Sequence, residues 1–113
     1  MTRFTDVLAR LSATIESRKG GDPGASYTAK LLADPSLAAK KLGEEAIEAV
    51  IAATQGGGDA LAAESADLIY HWLVVIAATG VSLDEVAAKL EAREGTSGLA
   101  EKASRTASPP SEA

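Results

Sequence analysis

The feature that most constrains this chain is its fourth run of helix-forming residues, in which Leu68 to Ala78 is apolar at nearly every position around the helix. A helix apolar along one stripe can cover a core from outside, whereas one apolar all round has to be buried on every side. The longest uninterrupted apolar run within it, Trp72 to Ala78, falls well short of the roughly 18 to 20 residues that cross a bilayer. The segment is therefore expected at the centre of a helical bundle. Its polar exceptions are Glu64, Asp67, Tyr70 and His71, and three of them, Glu64, Asp67 and His71, share one narrow stripe at steps of three and four residues. Two carboxylates on a buried helix are costly unless they are paired or bind a cation.

The periodicity elsewhere supplies the neighbours of this central helix. A first helix is expected from about Phe4 to Arg18, with Phe4, Val7, Leu8, Leu11 and Ile15 on one face, ending at the glycine-rich turn of residues 19–24. Ser26 caps a short helix from Tyr27 to Ala33, which closes before Pro35. A third helix begins after Ser36 and runs to about Gln55, where Gly56, Gly57 and Gly58 end it; the fourth spans about Asp59 to Thr79 and stops at Gly80, a position suited to a left-handed residue. Ser82 and Glu85 form a capping box for a fifth helix ending near Arg93 to Gly95. Alanine dominates, glycine and proline gather at the breaks, and no strand-like alternation or internal repeat appears.

The fold class is thus all-α, a bundle of four to five helices over residues 1–95, followed by an extension over residues 96–113. That extension is rich in Ser, Ala, Pro and Glu, and its last residues are expected to be disordered or ordered only by contacts. Three short neighbours from one chain cannot cover the central helix on all sides, so a second copy is expected to complete its burial in a homodimer.

Composition narrows the function classes. At 113 residues the chain is long enough for one domain. The absence of cysteine excludes a disulfide framework, a thiolate zinc site and a cysteine nucleophile, and favours the cytoplasm. Met1 to Asp6 carries charge where the apolar core of a secretory signal would begin. With 11 Lys and Arg against 16 Asp and Glu, a net charge of −5, neither nucleic acid nor an anionic membrane is the expected partner. An anionic ligand would need a local basic cluster or a bound cation.

The third helix provides the means for the second of these. Lys41, Glu44, Glu45 and Glu48 fall within one arc beside Lys40, and Ile47, Val50, Ile51 and Thr54 lie on the adjoining arc. The positions four residues after Glu44, Glu45 and Glu48 are Glu48, Ala49 and Ala52, so the helix does not neutralise its own later acids. A short turn makes helices three and four antiparallel neighbours, which brings Glu45 and Glu48 opposite Glu64 and Asp67 in one groove. Hard oxygen ligands without thiolate suit Mg²⁺ or Mn²⁺, and Glu64-x-x-Asp67 has a carboxylate where a di-iron bundle would want histidine. Such a groove, with lysines nearby, reads as a site for a nucleotide polyphosphate and for metal-assisted attack of water on a phosphoanhydride.

Each feature has a blander reading by itself. The acids of helix three could be a solvated face, Glu64 and Asp67 could pair with basic residues of another helix, and Lys40 and Lys41 could be surface lysines. His71 reads better as a hydrogen-bonded core or interface histidine than as a ligand, and Tyr70 and Trp72 as packing residues. The turn at residues 19–24 lacks the ending of a P-loop. It is the joint occurrence of acids on two consecutive helices that favours a metal site.

The residues from Lys41 to Glu48, with Glu44, Glu45 and Glu48, followed by Glu64, Asp67, Tyr70 and His71, resemble the E-E-x-x-E and E-x-x-D motifs of the all-α NTP pyrophosphohydrolases, the MazG-like superfamily. Within it, Ser26-Tyr27-Thr28 with Lys30, the run Asp67 to His71, and Ser97 to Lys102 after Arg93 resemble the branch of phosphoribosyl-ATP pyrophosphatases of histidine biosynthesis. The resemblance extends from about Phe4 to Arg105. It implies hydrolysis of phosphoribosyl-ATP to phosphoribosyl-AMP and pyrophosphate by a Mg²⁺-dependent homodimer. On the same basis Glu45, Glu48, Glu64 and Asp67 would hold the metal, Glu44 would be a further ligand or would orient the attacking water, and Lys30, Lys40, Lys41 and Arg93 would contact phosphate. The chain departs from two-domain members in lacking a cyclohydrolase half with its cysteines. A house-cleaning pyrophosphohydrolase of noncanonical dNTPs and a non-catalytic dimerisation bundle are the alternative readings.

Overall fold

The computed structural model describes residues 2–95. The motif from Ser97 to Lys102 and the whole extension over residues 96–113 lie outside the described residues. Within them the chain forms five α-helices and one π-helical turn, with no strand: α1 (Arg3–Ser17), α2 (Tyr27–Leu32), α3 (Pro35–Ile51), the π turn (Ala52–Gly56), α4 (Gly57–Thr79) and α5 (Leu83–Glu91). The all-α expectation holds, and most helix ends fall within a residue or two of those read from the sequence.

The caps show why these segments start where they do. Thr2 accepts a hydrogen bond from the Thr5 amide at the start of α1, and Ser26 does the same for Ala29 at the start of α2. The third helix starts two residues earlier than expected: Asp34 accepts from the Leu37 amide, and Pro35 occupies the first helical position, where its missing N–H costs nothing. Pro35 thus opens α3 as well as closing α2.

The end of α3 also differs from expectation. The helix does not stop at the glycines but widens into the π turn, in which the Thr54 hydroxyl donates back to Val50 and Ile51 carbonyls. The chain then reverses at Gly57, with φ 82° and ψ 178°, a conformation that side chains disfavour. Gly56 is constrained by space, since a Cβ there would lie 2.9 Å from the Ala60 methyl. These two glycines let α4 fold back against α3, and the α3–α4 pair is the most extensive packing in the molecule. α4 ends at Gly80 in the left-handed conformation, and the Val81 amide donates to the Ile76 carbonyl.

By internal packing the chain divides into Met1–Val81 and Ser82–Ala113, a division inside the span expected as one domain over residues 1–95. In the first unit α1 and α2 both pack on α4, and the fully buried side chains are Ile15, Leu31 and Val74. In the second unit α5 carries the expected capping box: the Ser82 hydroxyl accepts from the Glu85 amide, and Glu85 accepts from the Ser82 amide at 2.7 Å.

Burial corrects the reading of the central helix. Within one chain only His71, Leu73 and Val74 of α4 are fully buried, while Leu68, Ile69, Trp72, Val75 and Ile76 are half-buried. α3 leaves a run of aliphatic side chains more open still, with Ile47 and Val50 each 62% exposed and Ile51 47%. The reason is geometric: α3 turns its small residues Ala38, Ala49 and Ala52 toward α4, which leaves its bulky aliphatic arc facing outward. On α1, likewise, Ile15 is buried and Phe4 and Val7 are exposed, so the apolar stripe outruns the partners that one chain provides. Taken as one helical run, Pro35–Thr79 contains an 18-residue window of mean hydropathy 1.4, long and apolar enough to cross a membrane by length and composition alone, a test that core helices of soluble proteins also pass. The reversal at Gly57 means that no single straight segment uses that whole length.

Candidate metal centre

Three carboxylates meet where α3 crosses the first half of α4. Glu45, Glu64 and Asp67 each offer an oxygen, and these oxygens all lie within 4.8 Å of one another. Their convergence follows from local geometry. Glu45 shares the inward face of α3 with Ala38, Ala49 and Ala52, while Glu64 and Asp67 stand three residues apart on one face of α4. The antiparallel hairpin then sets the two faces against each other. Glu45 and Glu64 are half-buried, and Asp67 is exposed at the mouth of the groove.

The electrostatics of the group are those of crowded acids. The Glu64 carboxyl is held above the ordinary glutamate value, first by partial withdrawal from water and then by the charges of Glu45, Asp67 and Glu48, in that order. Glu48 is thus close enough to act on Glu64, although its oxygens are outside the tight group of three. Lys19 pairs with Glu16 at 2.6 Å and Lys41 with Glu44 at 3.4 Å, and neither pair includes any of the three acids. An oxygen-only donor set of this kind fits a hard divalent cation, which would replace like-charge repulsion by coordination.

The other residues singled out in the sequence are distributed around this centre. Glu44 lies about 100° around α3 from Glu45 and is drawn to Lys41, so it is not one of the converging three. Lys30 on α2 and Lys40 on α3 are exposed, and Lys41 is half-buried. Arg93 follows α5 in the second unit, its amide bonded to the Leu90 carbonyl.

A polar network between α2 and α4 was not legible from periodicity. His71 is buried, its Nδ1 donates to the Asp67 carbonyl at 2.8 Å, and this leaves Nε2 to accept from the Tyr27 hydroxyl at 3.4 Å. At the adjacent residues of the same interface, the Thr28 and Tyr70 hydroxyls are 2.6 Å apart. His71 is therefore the hydrogen-bonded core histidine expected for it. Tyr70 packs with its ring edge-on to His71, at 4.9 Å between centroids. The signal that could have revealed the network was the coincidence of Tyr27 and Thr28 with Tyr70 and His71, two adjacent polar pairs on two helices that are otherwise apolar where they meet.

Comparison with known proteins adds an independent line. The model of the family described as phosphoribosyl-ATP pyrophosphohydrolase matches residues 8–94. A protein of Caulobacter vibrioides named phosphoribosyl-ATP pyrophosphatase is 79% identical over 103 residues, 91% of this chain and 96% of that protein. Proteins of the same name from Caulobacter sp. strain K31 and Cereibacter sphaeroides strain KD131 are 73% and 61% identical, over 93% and 88% of this chain and 98% and 97% of theirs. The matched span contains every acid of the groove.

Proposed function

The chain belongs to the phosphoribosyl-ATP pyrophosphohydrolase family, and from that premise we propose how its carboxylate groove performs the family's reaction. The reaction is hydrolysis of phosphoribosyl-ATP to phosphoribosyl-AMP and pyrophosphate, a step of histidine biosynthesis. The observation that carries the mechanism is the convergence of Glu45, Glu64 and Asp67, whose carboxylate oxygens all lie within 4.8 Å of one another.

In this reading Glu45, Glu64 and Asp67, with Glu48 beside them, hold Mg²⁺, for which Mn²⁺ can substitute. The cation supplies charge neutralisation for the triphosphate and for the departing pyrophosphate, and lowers the pKa of a bound water. The protein's own residues then do the positioning. Asp67 at the open mouth meets the incoming phosphates, while the half-buried Glu45 and Glu64 fix the floor of the groove. Glu44, paired with Lys41 beside the groove, is assigned to orient the attacking water. Lys30, Lys40, Lys41 and Arg93 are assigned to phosphate contacts, which lets an acidic protein take a highly anionic substrate.

We extend the proposal to a homodimer in the cytoplasm. Ile47, Val50 and Ile51 form an uncovered aliphatic stripe on α3, and a second copy is the partner that would cover it. Light scattering at micromolar concentration should give twice the 11.5 kDa of one chain; a species of 11.5 kDa alone contradicts the dimer.

The activity is tested by product analysis of the purified protein with phosphoribosyl-ATP and a panel of noncanonical dNTPs in Mg²⁺. Release of pyrophosphate from phosphoribosyl-ATP in preference to all dNTPs is expected. A preference for any dNTP by about tenfold or more, some 1.4 kcal/mol in transition-state binding, would assign the groove to nucleotide-pool cleaning instead.

A further inference from the structure

We propose that Tyr27 is the residue against which the purine ring of the substrate stacks. The inference rests on the nucleotide reading of the groove and adds a recognition element to it. The chain has four aromatic residues, Phe4, Tyr27, Tyr70 and Trp72. Tyr70 spends its hydroxyl on Thr28 and its ring on His71, and Trp72 is half-buried in α4. Tyr27 is 50% exposed, yet it is fixed to the stripe that carries the acids.

The fixing is made by the tip of the ring. Its hydroxyl meets His71 Nε2 at 3.4 Å, with the rings at 75° and 6.2 Å between centroids, so the bond to His71 leaves the ring faces out of the contact. His71 is itself locked, because its Nδ1 donates to the Asp67 carbonyl at 2.8 Å. The chain of contacts runs from Tyr27 through His71 to the backbone of Asp67, whose side chain is one of the three converging carboxylates. Four residues of α4 separate His71 from Asp67, about 6 Å along the helix axis. The Tyr27 ring lies a further 6.2 Å from that of His71, so it is the ribose together with the phosphates of a nucleotide that would span from the tyrosine to the acids. The Ser26 cap and the Thr28–Tyr70 bond hold α2 on either side of Tyr27, so little side-chain freedom remains to be lost when a base stacks on it.

An exposed tyrosine could instead serve only to dock α2 on α4, and the two roles separate in binding measurements. Calorimetric titration of phosphoribosyl-AMP and of pyrophosphate, each with Mg²⁺, is made on wild type, Tyr27→Ala and Tyr27→Phe. Loss of base stacking in Tyr27→Ala should weaken phosphoribosyl-AMP by about 5- to 150-fold and leave pyrophosphate within about twofold. Tyr27→Phe, which keeps the ring and drops the His71 bond, should recover most of that affinity. Equal weakening of both ligands in Tyr27→Ala, a Tyr27→Phe variant as weak as the alanine one, no change in either variant, or no phosphoribosyl-AMP binding by wild type would each overturn the assignment. Turnover of phosphoribosyl-ATP by wild type is scored separately. Its absence alongside ring-dependent nucleotide binding would remove the proposed reaction while leaving the stacking role in place.

Discussion

Glu64 and Glu85 are two helical glutamates whose surroundings push them in opposite directions. Glu85 sits in the first turn of α5 and accepts a hydrogen bond from the Ser82 amide, then one involving the Ser82 side chain, and both hold its carboxyl below the usual value. Glu64 sits in the body of α4, where burial and then Glu45, Asp67 and Glu48 hold its carboxyl above it. The fold supplies donors to one acid from within the same turn, and draws the other partly out of water among like charges. An acid of the first kind is a structural device, whereas a group of acids of the second kind is stabilised only when a cation arrives.

The strongest way to break that contrast is Asp67→Asn, which keeps the shape and removes one charge from the group of three. Turnover and Mg²⁺ affinity should fall by about tenfold to a thousandfold, the range for losing a charged group that meets the metal. The melting temperature without metal should be equal or higher, because repulsion among the acids is relieved. If Asp67 were instead engaged by an unseen basic partner, the variant would melt lower without metal and stay active. Next in size is Ser82→Ala, which removes the hydroxyl that accepts from the Glu85 amide. It should cost about 0.5–2 kcal/mol of stability by chemical denaturation of the second unit and leave the Mg²⁺ response untouched.

The two glutamates also predict opposite dependences on pH. Glu85, with a lowered carboxyl value, contributes stability that is present above the ordinary glutamate range and is lost as pH falls through its own lower value. Glu64, with a raised value, contributes stability that is present below the ordinary range and is lost as pH rises through its own higher value. In metal-free melts from pH ~4 to ~7, Glu64→Gln should therefore gain on wild type as pH rises, and addition of Mg²⁺ to wild type should abolish that gain. The smallest effect belongs to Glu16, an exposed acid already paired with Lys19 at 2.6 Å. Glu16→Gln should change stability by about 0–1 kcal/mol and change neither the pH slope nor the metal response.

How much of this was legible in the sequence depended on whether the signal was local. The capping box of α5, the stop at Gly80 and the acid stripe of α4 are written in nearby residues, and they appear where the pattern puts them. The start of α3 was misplaced because Pro35 was taken only as a stop for the helix before it, while Asp34 provides the cap that lets it act as a start. The π turn left no local signature in the sequence, which marks only the glycines that follow it. At the candidate site, the stripe arithmetic set Glu45 and Glu48 opposite Glu64 and Asp67; the oxygens of Glu45, Glu64 and Asp67 converge, whereas those of Glu48 lie outside that group, a difference of reach that helix periodicity does not carry. Burial was the least legible property: α4 is apolar on all sides, yet it is α3 that exposes its aliphatic arc, because Ala38, Ala49 and Ala52 claim the inner face.

The central claim is that Glu45, Glu64 and Asp67 form a binding site for a divalent cation, and Mg²⁺ titration followed by thermal melting tests it most directly. A ligand that binds only the folded state stabilises it by about 2.7 kcal/mol at a hundredfold excess over its dissociation constant. Wild type should therefore melt at progressively higher temperature as Mg²⁺ is raised, Ser82→Ala should show the same increment from a lower start, and Asp67→Asn should show little or none. Equal increments in wild type and Asp67→Asn, or no increment in wild type, would contradict the account.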